Sequence, residues 1–423
     1  MAEPPPPLPP TTLETLPDEI QRRILIRIPC AVDRLRISVV CRAWRHAIRR
    51  QWDKLDGRLL QRPPPLPWLL LRAPHPLGLG LGTARAACAL SGGRVHHFLD
   101  VAPPDARYFG SHDGVWLLLD AGQPRAGGAA VPRAVNVRTR AVRDLPREVH
   151  SPTDQRLHRM VIHAAALSRS PKDARCVGAA IVTSWRDRAP LSPRRRGIAL
   201  WFRDRPWAFG VVPPGDGVVA IDAEDVIYLR HMGAFAFVTR GDHLRLCIPV
   251  WRDNLLVAVK WQTRRFRPCV CLDVRARYLV VSGGELLMVV RFMPHPDHQP
   301  TSKFKVFRMI ERSDADANAN ANDFLVAEYP WAWSEMDTLG GRMLFVGHGC
   351  SRSYKVDEYP GFEAGIYFLD DGMFYADSVI FGIGDARRYP CCDNGKWTED
   401  GHVQRCFPRS GPSDHSAPVW LLP

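Results

Sequence analysis

From residue 67 onward the chain consists of short apolar runs separated by turns rich in Gly, Asp and Asn. Short runs bounded by residues that tolerate positive φ are typical of β-hairpins. They predict an all-β domain over residues 67–423. The clearest examples are GSHDGVWLLLD (110–120), AVNVRTRAVRDLP (134–146), GDGVVAID (215–222), YLVVSGGELLMVV (278–290), LGGRMLFVG (339–347) and GIYFLDDGMFYAD (365–377).

A loose repeat runs through this region. A turn that ends in Gly and leads into an apolar strand recurs at Asp113-Gly114, Gly283-Gly284 and Gly340-Gly341, and the last two are 57 residues apart. Many short strands at such intervals favour a β-propeller over a sandwich, because radial repetition protects the strand edges of a long all-β chain. We expect five to seven blades. The run DADANANAND (314–323) predicts a disordered loop near 312–323.

The first part of the chain follows a different pattern. Residues 1–15 are rich in Pro and predict a disordered leader, whereas residues 16–52 carry apolar side chains at helical spacing. Ile20, Ile24 and Ile28 are four residues apart, and Pro29 ends this first helix. We therefore expect a small helical unit ahead of the β domain.

Two further helices complete this unit. A short second helix begins at about Ala31 and carries Leu35. Val40, Trp44 and Ile48 predict an apolar stripe on a third helix, which ends near residue 49. Three short helices bury too little surface to be stable alone, so we expect a partner to cover their apolar face. The Pro-rich linker at 53–66 is expected to hold the two domains apart.

The net charge of +13 raises the possibility of nucleic-acid binding. However, the basic residues are 50 Arg and only 7 Lys, spread over the whole chain. This composition does not point to a phosphate-binding patch. Neither a secretory signal nor an apolar run of membrane-spanning length is present. We predict reduced cysteines, no metal, no cofactor, no membrane contact and a cytoplasmic and/or nuclear location.

The sequence does not predict a catalytic site. Ser111-His112-Asp113 has the residue types of a hydrolase triad, but neighbouring residues in a strand alternate faces and cannot form that chain of contacts. We therefore interpret it as a turn. The sequence contains no G-x-S-x-G, H-E-x-x-H or P-loop motif. The function is expected to be non-catalytic.

The helical segment resembles the F-box motif across nearly its full length. The resemblance is carried by Leu16-Pro17-x-Glu19, Ile24, Ile28, Pro29, Leu35 and Val40-Cys41-Arg42-x-Trp44-Arg45. It implies that the helices bind the acidic Skp-type adaptor of a cullin-based ubiquitin ligase. The contact residues that it implies are Leu16, Pro17, Ile24, Leu25, Ile28, Leu35, Val40, Cys41 and Trp44. Residues 16–50 carry nine Arg against three acids, and this charge of +6 would speed encounter with an acidic adaptor.

The remainder of the chain resembles the F-box-associated β-propeller family of the KIB type, known from plants. The segments that carry this resemblance are PWLLL (67–71), YFGSHDGVWLLLD (108–120), VNVRTRAVRDLP (135–146) and LGGRMLFVGHGCSRSYKVDEYPGFEAGIYFLDD (339–371). The chain departs from the family at Asn136-Val137-Arg138-Thr139, where Asn-Pro-x-Thr is usual. The resemblance implies a propeller that binds a target protein.

Together these features predict the substrate-receptor subunit of a Skp-cullin-F-box (SCF) ubiquitin ligase, with an F-box at 16–52 and a propeller at 67–423. The first alternative is a non-catalytic F-box scaffold without a degradation target. A β-propeller enzyme and a nucleic-acid binder are the others. The sequence leaves open the target, the loops that bind it and the need for a target modification.

Overall fold

The protein is described here from a computed structural model of the 423-residue chain. The residues that the structure describes are 16–26, 28, 31–53, 68–72, 84–88, 95–99, 105–122, 131–184, 196–202, 205–211, 223–253, 255–267, 273–293, 300–312, 326–359, 362–371, 379–380, 388–407 and 412–423. The leader at 1–15, most of the linker at 53–66 and the loop near 312–323 fall largely outside these residues, and so does the run at 215–222. Those predictions stay predictions.

Three short helices precede the β region: α1 (Asp18–Ile26), α2 (Ala31–Ser38) and α3 (Arg42–Asp53). Asp18 and Glu19 lie in the first turn of α1, where negative charge interacts favourably with the helix dipole. The backbone N–H groups of Ile20 and Gln21 donate to the carbonyl oxygen of Pro17, so the helix begins directly after the proline. None of the described helices is long and apolar enough to cross a membrane.

The predicted position of Val40 was wrong. Val40 lies in the turn between α2 and α3, and its side chain is 63% exposed. It is therefore not part of the buried stripe formed by Trp44 and Ile48 on α3. The physical reason is that the chain turns at Val39 and Val40, so helical spacing does not extend back from Trp44 across this turn.

In the part of the chain that the structure describes, the β region forms five open sheets and one small closed barrel, which is numbered here as sheet 3. Sheet 1 combines three early strands with the last strand: β1 (Trp68–Arg72), β2 (Ala84–Cys88), β3 (Val95–Leu99) and β26 (Val419–Leu421). Sheet 2 is an antiparallel meander of β4 (Arg107–His112), β5 (Trp116–Ala121), β6 (Val131–Asn136) and β7 (Val142–Asp144).

Sheet 3 contains β8 (Glu148–His150), β9 (Leu157–Leu167), β10 (Val177–Ser184), β11 (Arg196–Phe202) and β12 (Trp207–Val211). In sheet 3, β8 pairs antiparallel with β9 and parallel with β12. Sheet 4 is a meander of β13 (Ala223–Leu229), β14 (Ala234–Thr239), β15 (Leu244–Arg252) and β16 (Leu255–Arg264).

Sheet 5 is a meander of β17 (Val274–Ser282), β18 (Glu285–Phe292), β19 (Lys303–Glu311) and β20 (Trp331–Glu335). Sheet 6 contains β21 (Arg342–Val346), β22 (Arg352–Lys355), β23 (Gly365–Phe368), β24 (Gly395–Trp397) and β25 (Val403–Gln404). A 3₁₀ turn at Val356–Glu358 follows β22, and β21 pairs parallel with β23, so sheet 6 is not a simple meander.

The six sheets are arranged as the blades of a β-propeller, and one strand of each packs at the centre. The contacts run in a ring from β26 to β4, β9, β13, β17 and β22. The ring closes because the Tyr354 hydroxyl on β22 donates to the carbonyl oxygen of Pro423, just beyond β26. Strand β26 also pairs with β1, so sheet 1 joins the two ends of the β region.

Hydrophobic packing fills the space between neighbouring sheets. Separate clusters of buried side chains join sheets 2 and 3, sheets 3 and 4, sheets 4 and 5, and sheets 5 and 6. Another cluster joins sheets 6, 1 and 2 and contains the fully buried Trp420. Sheets 2 to 6 are therefore each covered on both faces, which explains why strands such as β14 and β18 are apolar along most of their length.

Two of the three predicted Gly-ended turns are hairpins. Gly283 and Gly284 have φ of 61° and 88° and form the two-residue turn between β17 and β18. Asp113-Gly114 lies in the turn between β4 and β5. The hairpin prediction at Gly340-Gly341 was wrong, because this turn leads from β20 of sheet 5 to β21 of sheet 6. Positive φ alone does not determine which strands a turn connects.

Closure of the ring can be tested at Trp420. Its indole Nε1 donates to the carbonyl oxygen of Val346 at 2.9 Å, and its ring packs edge-on against Phe345 of sheet 6. We expect Trp420→Ala to lower the free energy of unfolding by about 3–5 kcal/mol, because it removes a fully buried aromatic ring.

The measurement is urea unfolding of the full chain, followed by circular dichroism. Trp251→Ala is the matched control, since Trp251 on β15 is 40% exposed. It should change the free energy of unfolding by less than about 1 kcal/mol. Equal effects of the two substitutions would show that Trp420 does not join sheets 1 and 6.

Candidate functional sites

The helical unit has a small core of its own. Leu25, Trp44 and Ile48 are buried against one another, with exposed fractions of 1%, 4% and 2%. Leu16, Ile24 and Cys41 are among the half-buried side chains that pack against this core. The side chain of Gln21 is also buried and donates to the carbonyl oxygen of Leu16 at 2.9 Å, which holds the entry to α1.

The structure separates the predicted adaptor contacts into three groups. Leu25 and Trp44 point into the core, so their primary role in this conformation is to hold the helices together. Pro17 and Val40 are exposed, and the remaining described side chains are half-buried, namely Leu16, Ile24, Ile28 and Cys41. The side chain of Leu35 lies outside the described part of the chain. Direct contact of these residues with an adaptor stays a prediction.

Two exposed apolar residues are absent from the adaptor contacts that the sequence predicts. Ile20 on α1 is 40% exposed, and Val39 beside Val40 is 67% exposed. We name Ile20, Val39 and Val40 the apolar triplet; they are the most exposed large apolar side chains that the structure describes in the helical unit. Helical spacing placed Ile20 on the core stripe, and the turn that exposes Val39 leaves no periodic signal.

A second candidate site is a pocket of about 780 Å³ near the centre of the ring. Its walls include residues of β4, β9, β17 and β26, which belong to four different sheets, and of loops beside sheet 6. One of these loops approaches the centre at Gly349, whose φ is 71°. A Cβ at this position would lie 2.6 Å from the carbonyl oxygen of Ala165 on β9, so only glycine fits.

A cluster of charged side chains lies at this pocket, and all of its members except Arg291 line it. We name them the Asp393 cluster; its members are Arg275, Arg291, Asp370, Asp371, Asp393 and Arg405. Arg291 on β18 is fully buried and donates to Asp393 at 2.7 Å and to the carbonyl oxygen of Leu369 at 2.8 Å. Arg275 on β17 donates to both Asp370 and Asp393 at 2.9 Å. The cluster therefore joins sheet 5 to the loops of sheet 6.

Asp393 is the centre of this cluster. It accepts from three arginines and from the backbone N–H and hydroxyl of Thr301. Burial alone would raise the pKa of Asp393, but Arg291, Thr301 and Arg275 outweigh this effect and hold the pKa well below its ordinary value. The carboxylate is thus ionised at neutral pH. Sequence reasoning missed the cluster, because Arg275 and Asp393 are far apart in the chain and neither belongs to a known motif.

Two histidines also line this pocket, and the imidazole of His348 lies 3.4 Å from the carboxylate of Asp371. His163 on β9 hydrogen-bonds to the hydroxyl of Thr183, and His348 packs against the ring of Tyr278. Burial, with nearby arginines, lowers the pKa of both histidines, so both are neutral at pH 7. Among the described residues, no group of three or more His, Cys, Asp or Glu side chains is arranged to hold a metal ion.

The segment at 136–139, where the chain departs from the Asn-Pro-x-Thr pattern, still forms a turn. The Asn136 side chain accepts from the backbone N–H groups of Arg138 and Thr139 at 3.0 and 2.8 Å. This arrangement is an Asx turn, which shapes the connection between β6 and β7. The hairpin at 134–146 therefore forms although Val137 stands where proline is usual.

Comparisons with known proteins agree with this architecture. Residues 89–391 match the family model described as KIB1-4 beta-propeller, and residues 13–58 match the model described as F-box-like. No curated protein matches the chain significantly. Among solved structures, one match is a protein assigned as a 6-phosphogluconolactonase from Bacteroides uniformis, with 10% identity and a TM-score of 0.26. The match covers 68% of this chain and 99% of that protein.

The role of the cluster can be tested at Asp393. We expect Asp393→Asn to lower the free energy of unfolding by about 3–5 kcal/mol at pH 7, because it leaves buried arginines without their shared anion. Since the pKa of Asp393 is lower in the folded than in the unfolded state, this stabilisation is present above about pH 4 and is lost as pH falls further. The difference between the two proteins should therefore shrink below about pH 4.

Urea unfolding at several pH values is the measurement. Asp144→Asn is the matched control, because Asp144 pairs with Arg133 but its side chain is 74% exposed. That substitution should change the free energy of unfolding by less than about 1 kcal/mol. A difference between wild type and Asp393→Asn that stays constant from pH 7 to pH 3 would contradict the ionised assignment.

Proposed function

Since the chain belongs to the KIB1-4 beta-propeller family and carries an F-box-like segment, we propose that it is the substrate-receptor subunit of an SCF-type ubiquitin ligase. In this proposal the helical unit binds a Skp-type adaptor and, through it, a cullin. The propeller binds the target protein. The observation that carries the proposal is the pairing of these two domains in one chain. This architecture is typical of non-catalytic adaptors.

The helical unit has the properties of a binding module. Among the side chains that the structure describes, its own core consists of three buried ones, Leu25, Trp44 and Ile48, while the apolar triplet faces solvent. A partner that covers Ile20, Val39 and Val40 would bury apolar surface, which is the main source of affinity in such interfaces. The net charge of +6 over residues 16–50 suits an acidic adaptor and would mainly raise the rate of association.

The proposed mechanism is proximity and needs no catalytic residue in this chain. A target held on the propeller has its lysines close to the ubiquitin-conjugating enzyme that the cullin recruits. Tethering raises the effective concentration of the two reactants and turns their encounter into a nearly intramolecular event. We place this activity in the cytoplasm and/or nucleus.

Adaptor binding can be tested at Val40. We expect Val40→Asp to weaken the affinity for a purified Skp-type adaptor about 30-fold, because it introduces a charge into the apolar triplet. Isothermal titration of the full chain with the adaptor gives the dissociation constants. Val142→Asp on β7 is the matched control, because Val142 is also an exposed valine, with 44% of its surface accessible. The control should bind like wild type.

The same variants separate adaptor binding from folding. Val40 is 63% exposed, so its substitution should leave the urea unfolding curve unchanged. If Val40→Asp and Val142→Asp bind the adaptor equally well, the proposed interface is wrong. If adaptor binding is lost with Val40→Asp but loss of the gene changes the abundance of no protein, the chain is a scaffold without a degradation target.

A further inference from the structure

Strand β16 (Leu255–Arg264) forms the outer edge of sheet 4. It has ten residues, whereas the outer edge strands of sheets 1, 2, 5 and 6 have five, three, five and two. Proteins usually keep exposed edge strands short, because the unpaired N–H and C=O groups of a long edge can pair with another chain. Strand β16 is therefore the open edge of this propeller that is best suited to take a further strand. The adaptor interface proposed above does not use it.

The outer side of β16 is open in the part of the chain that the structure describes. The strand pairs along its length with β15, and no other described strand pairs with it. A bridge between Phe266 and Trp331 lies beyond its end. Ala258 is exposed although its side chain is a single methyl group, and Lys260 and Thr263 are exposed as well. An extended segment of another chain can therefore approach the backbone of this edge.

The two faces of β16 differ in chemistry. Successive side chains of a strand point to opposite faces, so Lys260, Gln262 and Arg264 share one face. Val259 and Trp261 share the other face, where they are half-buried against the apolar cluster of sheets 3 and 4. Cross-strand neighbours contact one another on each face of a sheet. A strand added beside β16 would therefore meet basic groups on one face and apolar groups on the other.

The charge of this edge determines which strand fits. Residues 252–267 carry five basic side chains and one acid, Asp253, so their net charge is +4. Glu311 of sheet 5 acts on Arg264 and offsets one unit, and the buried Arg245 on β15 adds one. Like charges opposite each other are unfavourable, so two copies of this edge would repel each other. An acidic strand is attracted instead.

We propose that an extended segment of a partner protein, in which acidic and apolar residues alternate, pairs with β16 as a fifth strand of sheet 4. Its backbone hydrogen bonds supply affinity, as in other complexes formed by strand addition. Its acidic side chains lie beside Lys260 and Arg264, and its apolar side chains lie beside Trp261. A nucleic acid would use only the charge, because it has no peptide groups to pair with the edge. The partner's identity as the ubiquitination target rests on the function proposed above, whereas the strand pairing does not.

A designed peptide tests the chemistry on the full chain. The probe is acetyl-Val-Glu-Ile-Glu-Val-Glu-Val-amide, measured by isothermal titration at pH 7. We expect it to bind at least about tenfold more tightly than the same peptide with lysines in place of the glutamates, because the edge is positively charged. A rearranged peptide with its three glutamates adjacent should also bind at least about tenfold more weakly, because alternation is lost. Absence of binding by the probe at millimolar concentration overturns the proposal.

N-methylation separates strand pairing from simple charge attraction. Only every second N–H of an added strand points towards β16. One probe is therefore methylated on the backbone nitrogens of its glutamates, and another on those of its isoleucine and central valine. One of these two peptides should bind like the parent, and the other should not bind. Equal affinities of the two methylated peptides would show that no strand is added.

A pair of lysine substitutions locates the binding. Lys260→Glu reverses a charge on the exposed edge and should weaken binding of the probe at least about tenfold. Lys355→Glu is the matched control, because Lys355 is also an exposed lysine on a strand, at the end of β22 in sheet 6. It should bind like wild type. Since both side chains are exposed, both variants should keep the urea unfolding curve of wild type. Equal binding of the probe by the two variants would exclude this edge.

Other occupants of the edge give different results. A dimer of the full chain that the probe dissociates would show that a second copy occupies β16. Tighter binding of a twelve-nucleotide oligothymidylate than of the probe, lost with Lys260→Glu, would show a nucleic-acid site. Either result overturns the proposal. Adaptor binding without probe binding overturns this inference alone, whereas probe binding without adaptor binding overturns the function proposed above and leaves the strand pairing in place.

Discussion

Closure of the ring by the last strand is the constraint on which the rest of this structure depends. Strand β26 pairs with β1, and Trp420 and Pro423 hydrogen-bond to sheet 6. Without these contacts the apolar side chains of β26 and those on one face of sheet 6 would be exposed, since both belong to the cluster around Trp420. Closure also brings β4, β9, β17 and β26 around one point, which is what creates the pocket. Both the stability of the propeller and its candidate ligand site therefore follow from the same interaction.

Near the centre of the ring, sheet 5 and the loops of sheet 6 are joined by ion pairs between buried side chains rather than by hydrophobic contacts. A buried carboxylate would be unfavourable by itself, but Asp393 accepts hydrogen bonds from three arginines and from a threonine. Such a cluster is directional, so it determines how the loops of sheet 6 lie against sheet 5 more specifically than apolar contacts would. The helical unit shows the opposite arrangement, with a small apolar core and apolar side chains left on its surface. The propeller thus packs around a buried charged cluster, whereas the helical unit leaves apolar side chains exposed to solvent.

Sequence reasoning worked where the signal was local. Glycine and aspartate at positive φ predicted the hairpins at Asp113-Gly114 and Gly283-Gly284, and alternating or continuous apolar runs predicted the all-β class. It did not work where the outcome depended on partners far away in the chain. The turn at Gly340-Gly341 has positive φ at both residues, as the hairpin turn at Gly283-Gly284 does, yet it connects two sheets, because β21 pairs with later strands. Similarly, helical spacing placed Val40 beside Trp44, although the chain turns before α3 begins.

The sequence by itself determined the class of each part of this protein: three short helices followed by many strands, and the F-box and propeller resemblances that the family models match. These properties depend on residues that are close in the chain, whose spacing and turn preferences act locally. Only the tertiary structure decided the order of strands in sheet 6, the exposure of the apolar triplet and the assembly of the Asp393 cluster. Arg275, Arg291 and Asp393 are in contact because the ring brings sheet 5 against the loops of sheet 6. The local conformational preferences of these residues do not determine a contact between positions so far apart in the chain.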